Sequence, residues 1–240
     1  MRQSSGRWSR LASVTDPSRR RARRGAGDQL RGEILTAAKT LLARTGDADA
    51  VSIRAVADLA HVTSPSIYLH FTDKHHLLDS VVADVFAELD ERMNAGPTDV
   101  SPLERLHQQG MAYIRFALES PEHYRLATSF ARTEVGEIDI VMGTAAFAHF
   151  VEAVAGCMDA GIFAPGDPIP VAIDLWAAAH GIASLLIAKP YLPWGDPEQV
   201  AERVLHAAAV GRSIADYLDT PGPEEFAAWR ASLPARTDAR

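Results

Sequence analysis

Apolar residues recur at three- and four-residue spacing along most of the chain, and no stretch shows the strict alternation of a β-strand. Glycines and prolines interrupt this spacing and divide it into separate helical segments. The chain is therefore predicted to be all-α. The predicted helices cover residues 28–45, two short segments within 52–70, then 73–95, 102–118, 121–131, 139–161, 171–188 and 197–218, with a loosely docked turn or two in 223–233.

Two short helices joined by a turn of about four residues are predicted at the start of the segment 51–78. Ser52 is a suitable N-cap for the first helix and Thr63 for the second, which is predicted to span Thr63 to His70. In the second helix Ile67 and Phe71 face inward. The side chains left outside are those of Ser64, Ser66, Tyr68 and His70. This spacing predicts a helix-turn-helix, although a helical hairpin whose polar residues merely face water would have the same pattern.

The outward side chains of the second helix carry groups that suit DNA. Hydroxyl, phenol and imidazole groups can bond base edges or phosphate oxygens when such a helix lies in the major groove. Arg54 and Lys74 flank the two helices and are predicted to contact phosphates. The predicted DNA contacts in this segment are Arg54, Thr63, Ser64, Ser66, Tyr68, His70 and Lys74.

The same segment resembles the end of the DNA-binding domain in TetR-type transcriptional repressors. That family typically shows an IA-x-x-AGV-S segment, an LY-x-HF run, then a lysine and a leucine pair. The matching residues here are Val56-Ala57, Ala60-His61-Val62-Thr63, Ile67-Tyr68-Leu69-His70-Phe71, Lys74 and Leu77-Leu78. His61 stands where the family usually has glycine, and a histidine can adopt a left-handed backbone there at a cost of about 1 kcal/mol. The resemblance implies a sequence-specific DNA-binding regulator.

The net charge of −7 conceals a strong asymmetry between the start of the chain and the rest. Residues 1–31 hold nine arginines and two aspartates, a net charge of +7, so the remaining residues carry −14. Residues 1–27 are accordingly predicted to be a basic arm, disordered when free, that lies along phosphates or enters a minor groove. A solvated tail, or a start codon assigned too far upstream, is the alternative. The arm residues predicted to contact DNA are Arg19, Arg20, Arg21, Arg23 and Arg24.

The expected organisation is a three-helix helix-turn-helix domain at residues 28–74, followed by a larger helical ligand-binding and dimerisation domain at 75–220 and a polar tail at 221–240. The helix that begins at Lys74 runs from the DNA side into the second domain, which makes it a natural lever between the two. Cys157 is the single cysteine, so a reducing cytoplasm is the expected location. No membrane partner is expected, because the most apolar stretch, 175–188, is too short to span a bilayer.

The last two long helices are predicted to pair across a two-fold axis. Their surfaces are rich in small residues that permit close packing, and an isologous dimer matches a palindromic operator. A monomer whose core includes both helices is the alternative. The predicted interface residues are Ala179, Val200, Val204, Ala207, Gly211 and Ile214.

Trp176, His180 and Gly181 resemble a tryptophan–histidine–glycine signature in the C-terminal domain of some TetR-type regulators. That resemblance implies dimerisation through the last two long helices and a ligand cavity among the helices between residues 77 and 188. Trp176 and His180 either line this cavity or form a hydrogen-bonded structural pair. The predicted ligand-binding residues are Met111, Arg115, Phe116, Tyr124, Phe130, Met142, Phe147, His149, Phe150, Trp176 and His180, with Tyr113 and His123 as further candidates.

The sequence therefore predicts a dimeric repressor that a small, mostly apolar effector releases from its operator. A DNA-binding organiser or partner-regulated factor without a small-molecule ligand is the alternative. No GxxxxGK, GxSxG or HExxH motif occurs, so the protein is not expected to be an enzyme. His75 and His76 point about 100° apart on a helix, so neither a metal site nor a cofactor is expected.

Overall fold

A computed structural model of the protein describes residues 26–129, 144–218 and 222–234. Every regular element in these ranges is an α-helix, which confirms the predicted all-α class. We number them α1 (Ala26–Thr45), α2 (Ile53–Leu59), α3 (Ser64–Tyr68), α4 (Lys74–Asn94), α5 (Pro102–Glu119), α6 (Pro121–Ser129), α7 (Ala145–Asp159), α8 (Pro168–Ala188), α9 (Pro197–Tyr217) and α10 (Pro223–Ser232).

Polar side chains cap the N-termini of the longer helices. Asp73 caps α4 and Ser101 caps α5, each by accepting a hydrogen bond from a backbone N–H in the first turn. The bond from the N–H of His76 lowers the pKa of the Asp73 carboxyl, which stays ionised against the positive end of the helix. The start of α4 is therefore held in place beside the two short helices.

The buried apolar side chains form two clusters. The first joins α1, α2 and α3 to the first turns of α4, where Leu77, Leu78 and Val81 are buried. The second is larger and joins the rest of α4 to α5, α6, α7, α8 and α9. Because α4 contributes to both clusters, it physically connects them, as expected for a lever.

Several predicted boundaries differ from the structure. α8 begins at Pro168 rather than at 171, since Asp167 caps it and a proline at N1 lacks only an N–H that would have no helical partner. α3 ends at Tyr68, so the predicted helix to His70 is too long by two residues. Residues 223–232 form a full helix without buried residues, rather than a turn or two. The predicted start of α7 at residue 139 lies outside the described residues.

The early start of α8 changes one further expectation. Within the described ranges, α8 alone has the length and apolar composition that a membrane crossing would need, so the apolar stretch is longer than predicted. That is weak evidence of a span, because 39% of its window is buried inside the protein and core helices of soluble proteins have the same properties.

Candidate DNA-binding face and ligand cavity

The helices α2 and α3 form a tight corner. Ser52 accepts a hydrogen bond from the N–H of Ala55, which confirms it as the N-cap of α2. Four residues separate the end of α2 from the start of α3. In this turn His61 has a φ of 56°, the left-handed conformation for which the family pattern has glycine. The N–H of Val62 then donates to the carbonyl of Ala57, and this bond closes the corner.

Thr63 does not cap α3 through its side chain, contrary to the prediction. It occupies the N-cap position, but its hydroxyl pairs with the hydroxyl of Ser66 at 2.8 Å. The reason is Pro65, which has no N–H to offer, while the N–H of Ser66 already donates to the Thr63 carbonyl. The two hydroxyls are thereby fixed on the outer side of the corner.

The outer end of α3 is open to solvent. Tyr68 is 54% exposed and Arg54, on α2, is also exposed. Leu69 follows α3 and is 83% exposed, although the sequence prediction did not include it. The sequence could have indicated this exposure, because Leu69 is apolar but does not belong to the buried stripe that contains Ile67. An exposed leucine next to a phenol can contact thymine methyl groups and sugars.

The remaining predicted DNA contacts differ in their exposure and in their partners. His70 lies beyond the end of α3 and is half-buried, with its ring 6.5 Å from that of Phe71. Lys74 donates from Nζ to the carbonyl of Asp49 at 3.4 Å, so it braces the loop between α1 and α2. The five arm arginines, from Arg19 to Arg24, lie outside the described residues.

A cavity of about 520 Å³ lies within the larger cluster. Its walls come from α4, α5, α6, α7, α8 and α9 and are mostly aromatic and aliphatic. The prediction confined the cavity to helices before residue 188, whereas the structure adds one wall from α9, through Leu205, Ala208 and Ile214. The further candidate Tyr113 lines it, together with five of the predicted ligand-binding residues: Phe116, Tyr124, Phe147, Phe150 and Trp176.

Other predicted ligand-binding residues, including His180, do not line the cavity. Arg115 pairs with Glu198 at 3.0 Å, and His149 pairs with Asp90 at 2.8 Å. That bond raises the pKa of the His149 imidazole. Met111 is buried in the helix packing, apart from the cavity wall. Phe130 and Met142 lie outside the described residues.

One side of the cavity wall carries a cluster of hydrogen-bonding groups. The hydroxyl of Tyr124 lies 2.8 Å from Nδ1 of His180 and 3.1 Å from the hydroxyl of Ser184. The hydroxyl of Tyr113 lies 3.3 Å from the same Nδ1. Trp176 contacts His180 ring to ring at 5.7 Å, so the two are packed together, and the hydrogen bonds of His180 go to the tyrosines and the serine instead.

Burial fixes the ionisation of this cluster. It raises the pKa of Tyr113 well above its ordinary value, raises the pKa of Tyr124, and lowers the pKa of His180. All three side chains are consequently uncharged near neutral pH. Within the described ranges, no group of three or more metal-ligating side chains occurs.

The predicted interface residues fall into two groups. Ala207 and Gly211 are exposed on α9, and a side chain added at Gly211 would meet nothing in its own protomer. Val200 is buried, Val204 is half-buried, and Ala179 and Ile214 line the cavity. The neighbouring face of α8 exposes further apolar side chains, those of Ile169, Ile173, Ala177 and Leu185.

The helix α6 contacts both clusters. Tyr124 lies in the cavity wall, whereas Leu126 is buried in the first cluster with α1. His123, also on α6, lies 3.5 Å from Glu88 on α4, and Lys39 on α1 lies 3.7 Å from the same carboxylate. Cavity, lever and first cluster therefore meet at α6.

Two family models match this chain. Residues 34–81 match the model described as bacterial regulatory proteins, tetR family, and residues 106–208 match the tetracyclin repressor-like C-terminal domain. A curated relative, the HTH-type transcriptional repressor KstR of Rhodococcus jostii (strain RHA1), is 42% identical over 65 residues. That alignment covers 27% of this chain and 30% of the relative, so the chain matches less than a third of the relative's length.

Solved structures share the fold at lower identity. A protein with unknown function from Rhodococcus sp. RHA1 has a TM-score of 0.63 and 24% identity, over 83% of this chain and all of that one. A putative transcriptional regulator from Pseudomonas aeruginosa PAO1 has a TM-score of 0.66 and 20% identity, over 79% and 93% of the two chains. A putative TetR family regulator from Vibrio parahaemolyticus has a TM-score of 0.63 and 22% identity, over 75% and 96%.

The two family models describe the two parts of one architecture, and together they match more than half of the residues in the order in which the helices occur. The chain belongs to the tetR family of bacterial regulatory proteins.

Proposed function

We propose that the protein is a dimeric, sequence-specific DNA-binding repressor that a mostly apolar small molecule releases from a palindromic operator. The observation that carries this proposal is a row of exposed side chains at the end of α3, with Tyr68 at its centre. This row follows the left-handed turn that fixes α3 against α2. Such a row can enter a major groove without any rearrangement of the corner. The name of the curated repressor and the tetR family models support the same function.

Each group on this face has a distinct role. The phenol of Tyr68 bonds a base edge or phosphate while its ring packs on sugar, and Leu69 contacts a thymine methyl group.

The other predicted contacts surround these two residues. Ser64 and the paired hydroxyls of Thr63 and Ser66 bond phosphates or bases, and Arg54 and Lys74 approach the DNA phosphates. His70 contributes at the edge of the face. The five arm arginines lie along phosphates or in the adjacent minor groove.

Substitution of Tyr68 tests the DNA-binding part of the proposal. Tyr68→Ala removes one base or phosphate contact from each protomer and is expected to weaken operator binding by about 1–3 kcal/mol per contact. The measurement is titration of the protein against its operator, found by genomic footprinting with the purified protein. Tyr191→Ala is the matched control, since Tyr191 is 98% exposed and lies after α8, away from the corner. Equal affinity of the Tyr68→Ala dimer and the wild type would contradict the proposal.

A dimer is needed because a single recognition helix reads only half a palindrome. Two copies of α3 would enter successive major grooves about 34–36 Å apart. The exposed apolar side chains of α8 and the small residues of α9 supply a self-complementary surface for this pairing. Homodimerisation through α8 and α9 is accordingly part of the proposal.

The cavity supports ligand control over a factor that works without a ligand, because a space of about 520 Å³ remains among its side chains. A ligand against Tyr124 would displace α6 and, through Leu126 and Glu88, shift α4 against the first cluster. The separation of the two DNA-binding heads would then change. A ligand can move this equilibrium only as far as it prefers one state.

Distances between nitroxide labels placed on the exposed surfaces of the two α1 helices measure this change directly. The distribution is expected to shift between the DNA-bound and ligand-bound dimers. Identical distributions in the two states would contradict the lever mechanism, while leaving the DNA-binding role intact.

A further inference from the structure

The hydrogen-bonding groups of the cavity are concentrated at two places. At the rim, Glu104 and His206 are exposed. Inside, the hydroxyls of Tyr113 and Tyr124 belong to buried side chains. The other described lining residues are mostly aromatic and aliphatic, and the hydroxyls of Thr128 and Ser213 already donate to the backbone carbonyls of Tyr124 and Ile162. A ligand would therefore meet its specific polar contacts at its inner end.

The inner hydroxyls compete for one ring nitrogen. Nδ1 of His180 lies 2.8 Å from the Tyr124 hydroxyl and 3.3 Å from the Tyr113 hydroxyl. An imidazole nitrogen has either one hydrogen or one lone pair in the ring plane, so it makes one full hydrogen bond. The shorter distance assigns that bond to Tyr124, which also contacts Ser184. Tyr113 is left with the longer contact to Nδ1, beside its contacts with Tyr124 and Trp176, and can turn its O–H toward a ligand atom.

The charge of the cavity narrows the ligand further. Burial keeps both phenols and the imidazole of His180 uncharged near neutral pH. The described lining contains neither lysine nor arginine, and its two histidines, His107 and His206, lie at the partly exposed rim with the carboxylate of Glu104, which would repel an anion there. A carboxylate-bearing ligand would have no counter-ion beyond the rim, and its transfer from water into an apolar site is costly.

We propose that the cavity takes an uncharged, largely apolar molecule whose carbonyl oxygen accepts a hydrogen bond from the hydroxyl of Tyr113. The inference deepens the proposed function and rests on it in one respect, since it places the effector in this cavity. Tyr124 and His180 have a positioning role, because their mutual bond leaves the Tyr113 hydroxyl available. The size of the cavity suits a drug-sized molecule rather than a metabolite of a few atoms.

Three probes of similar shape test the assignment: benzophenone, diphenylmethane and diphenylacetate. Their dissociation constants are measured by equilibrium dialysis against the full-length dimer, without DNA, near neutral pH. Tyr113→Phe is expected to weaken benzophenone roughly five- to tenfold, the value of one hydrogen bond, and diphenylmethane by less than about twofold. Diphenylacetate is expected to bind the wild type at least about tenfold more weakly than benzophenone.

Tyr191→Phe is the matched control, since it removes the same atom from an exposed tyrosine and should leave all three constants unchanged. Equal weakening of benzophenone and diphenylmethane by Tyr113→Phe would overturn the proposal. Diphenylacetate binding as tight as that of benzophenone, or no benzophenone binding at all, would also overturn it.

These results are separable from the proposed function. Selective benzophenone binding by a dimer that fails to bind any operator would support the cavity assignment and contradict the repressor. A dimer that binds its operator, but in which Tyr113→Phe weakens benzophenone no more than diphenylmethane, would support the repressor and contradict the cavity assignment.

Discussion

At the residue scale, His61 shows how a local backbone requirement shapes the DNA-binding corner. Its φ of 56° is a conformation that costs most side-chain-bearing residues about 1 kcal/mol or more. The corner keeps it because Val62 must return to the first cluster, against which both Val62 and Ala60 pack. The left-handed backbone at His61 therefore fixes the angle between α2 and α3, at this cost in conformational free energy.

Substitution of His61 by glycine is expected to stabilise the protein by up to about 1 kcal/mol, since glycine adopts positive φ freely. For a protein of this length the melting temperature would rise by about 2–4 °C per kcal/mol. Thermal unfolding measured by circular dichroism tests this.

Ala60→Gly is the control for that substitution. Ala60 has a φ of −82°, so glycine there gains no backbone relief and should lower stability by about 0.5–1 kcal/mol. A destabilising effect of His61→Gly equal to that of Ala60→Gly would show that the left-handed backbone carries no cost.

At the element scale, α6 is the helix whose two faces serve different parts of the molecule. Residues 124 and 126 point about 200° apart around a helix with 3.6 residues per turn. Tyr124 thus faces the cavity while Leu126 packs with α1, although α6 has only nine residues. A helix of nine residues moves as a rigid unit, so a displacement of the face that carries Tyr124 also displaces the face that carries Leu126.

Truncation of Leu126 tests how firmly α6 is bound to the first cluster. Leu126→Ala leaves a cavity between α6 and α1 and is expected to lower the free energy of unfolding by about 2–5 kcal/mol. Urea denaturation of the dimer provides the measurement.

Leu192→Ala is the control, because the half-exposed Leu192 should change stability by less than about 0.5 kcal/mol. If both variants lose the same small amount, α6 is only loosely attached to the DNA-binding side and cannot transmit a displacement to it.

At the scale of the whole molecule, the surfaces of α8 and α9 determine whether one protomer can read an operator. Leu185 is 48% exposed on α8, and Ile169, Ile173 and Ala177 are exposed on the same helix. On α9 the exposed residues include Ala207 and Gly211, whose small size allows helices of a second copy to approach closely. An isolated protomer would leave this apolar face in water.

Gly211→Arg is expected to convert the dimer to monomers without unfolding the protomer. The substitution has room in its own chain, since a Cβ at Gly211 meets no atom within 4 Å. In an isologous interface it would place two arginines near the two-fold axis, each deprived of water. Light scattering after size-exclusion chromatography is expected to give the mass of one chain, and operator affinity should fall with it.

Gly32→Arg provides the matched control for Gly211→Arg. Gly32 is exposed on α1 and is equally free of contacts, so the same change there should leave the mass of the dimer unaltered. A Gly211→Arg protein that remains fully dimeric would place the interface elsewhere.

Much of this architecture follows from local rules, which the sequence contains in full. Helical spacing, the Ser52 cap and the proline and glycine breaks depend on neighbours along the chain, so the helix order was predictable. The outward position of Tyr68 was predictable for the same reason, whereas the left-handed turn at His61 was indicated by the family pattern, which has glycine there.

Contacts between distant residues were decided only by the tertiary structure. The pairing of Thr63 with Ser66, the brace from Lys74 to Asp49 and the wall that α9 adds to the cavity depend on how helices pack. So does the separation of Arg115 and His149 from the cavity, since each found an acidic partner on another helix. Periodicity assigns a residue to the buried face of its helix, but it does not specify which neighbour that face meets or where the packing leaves a space.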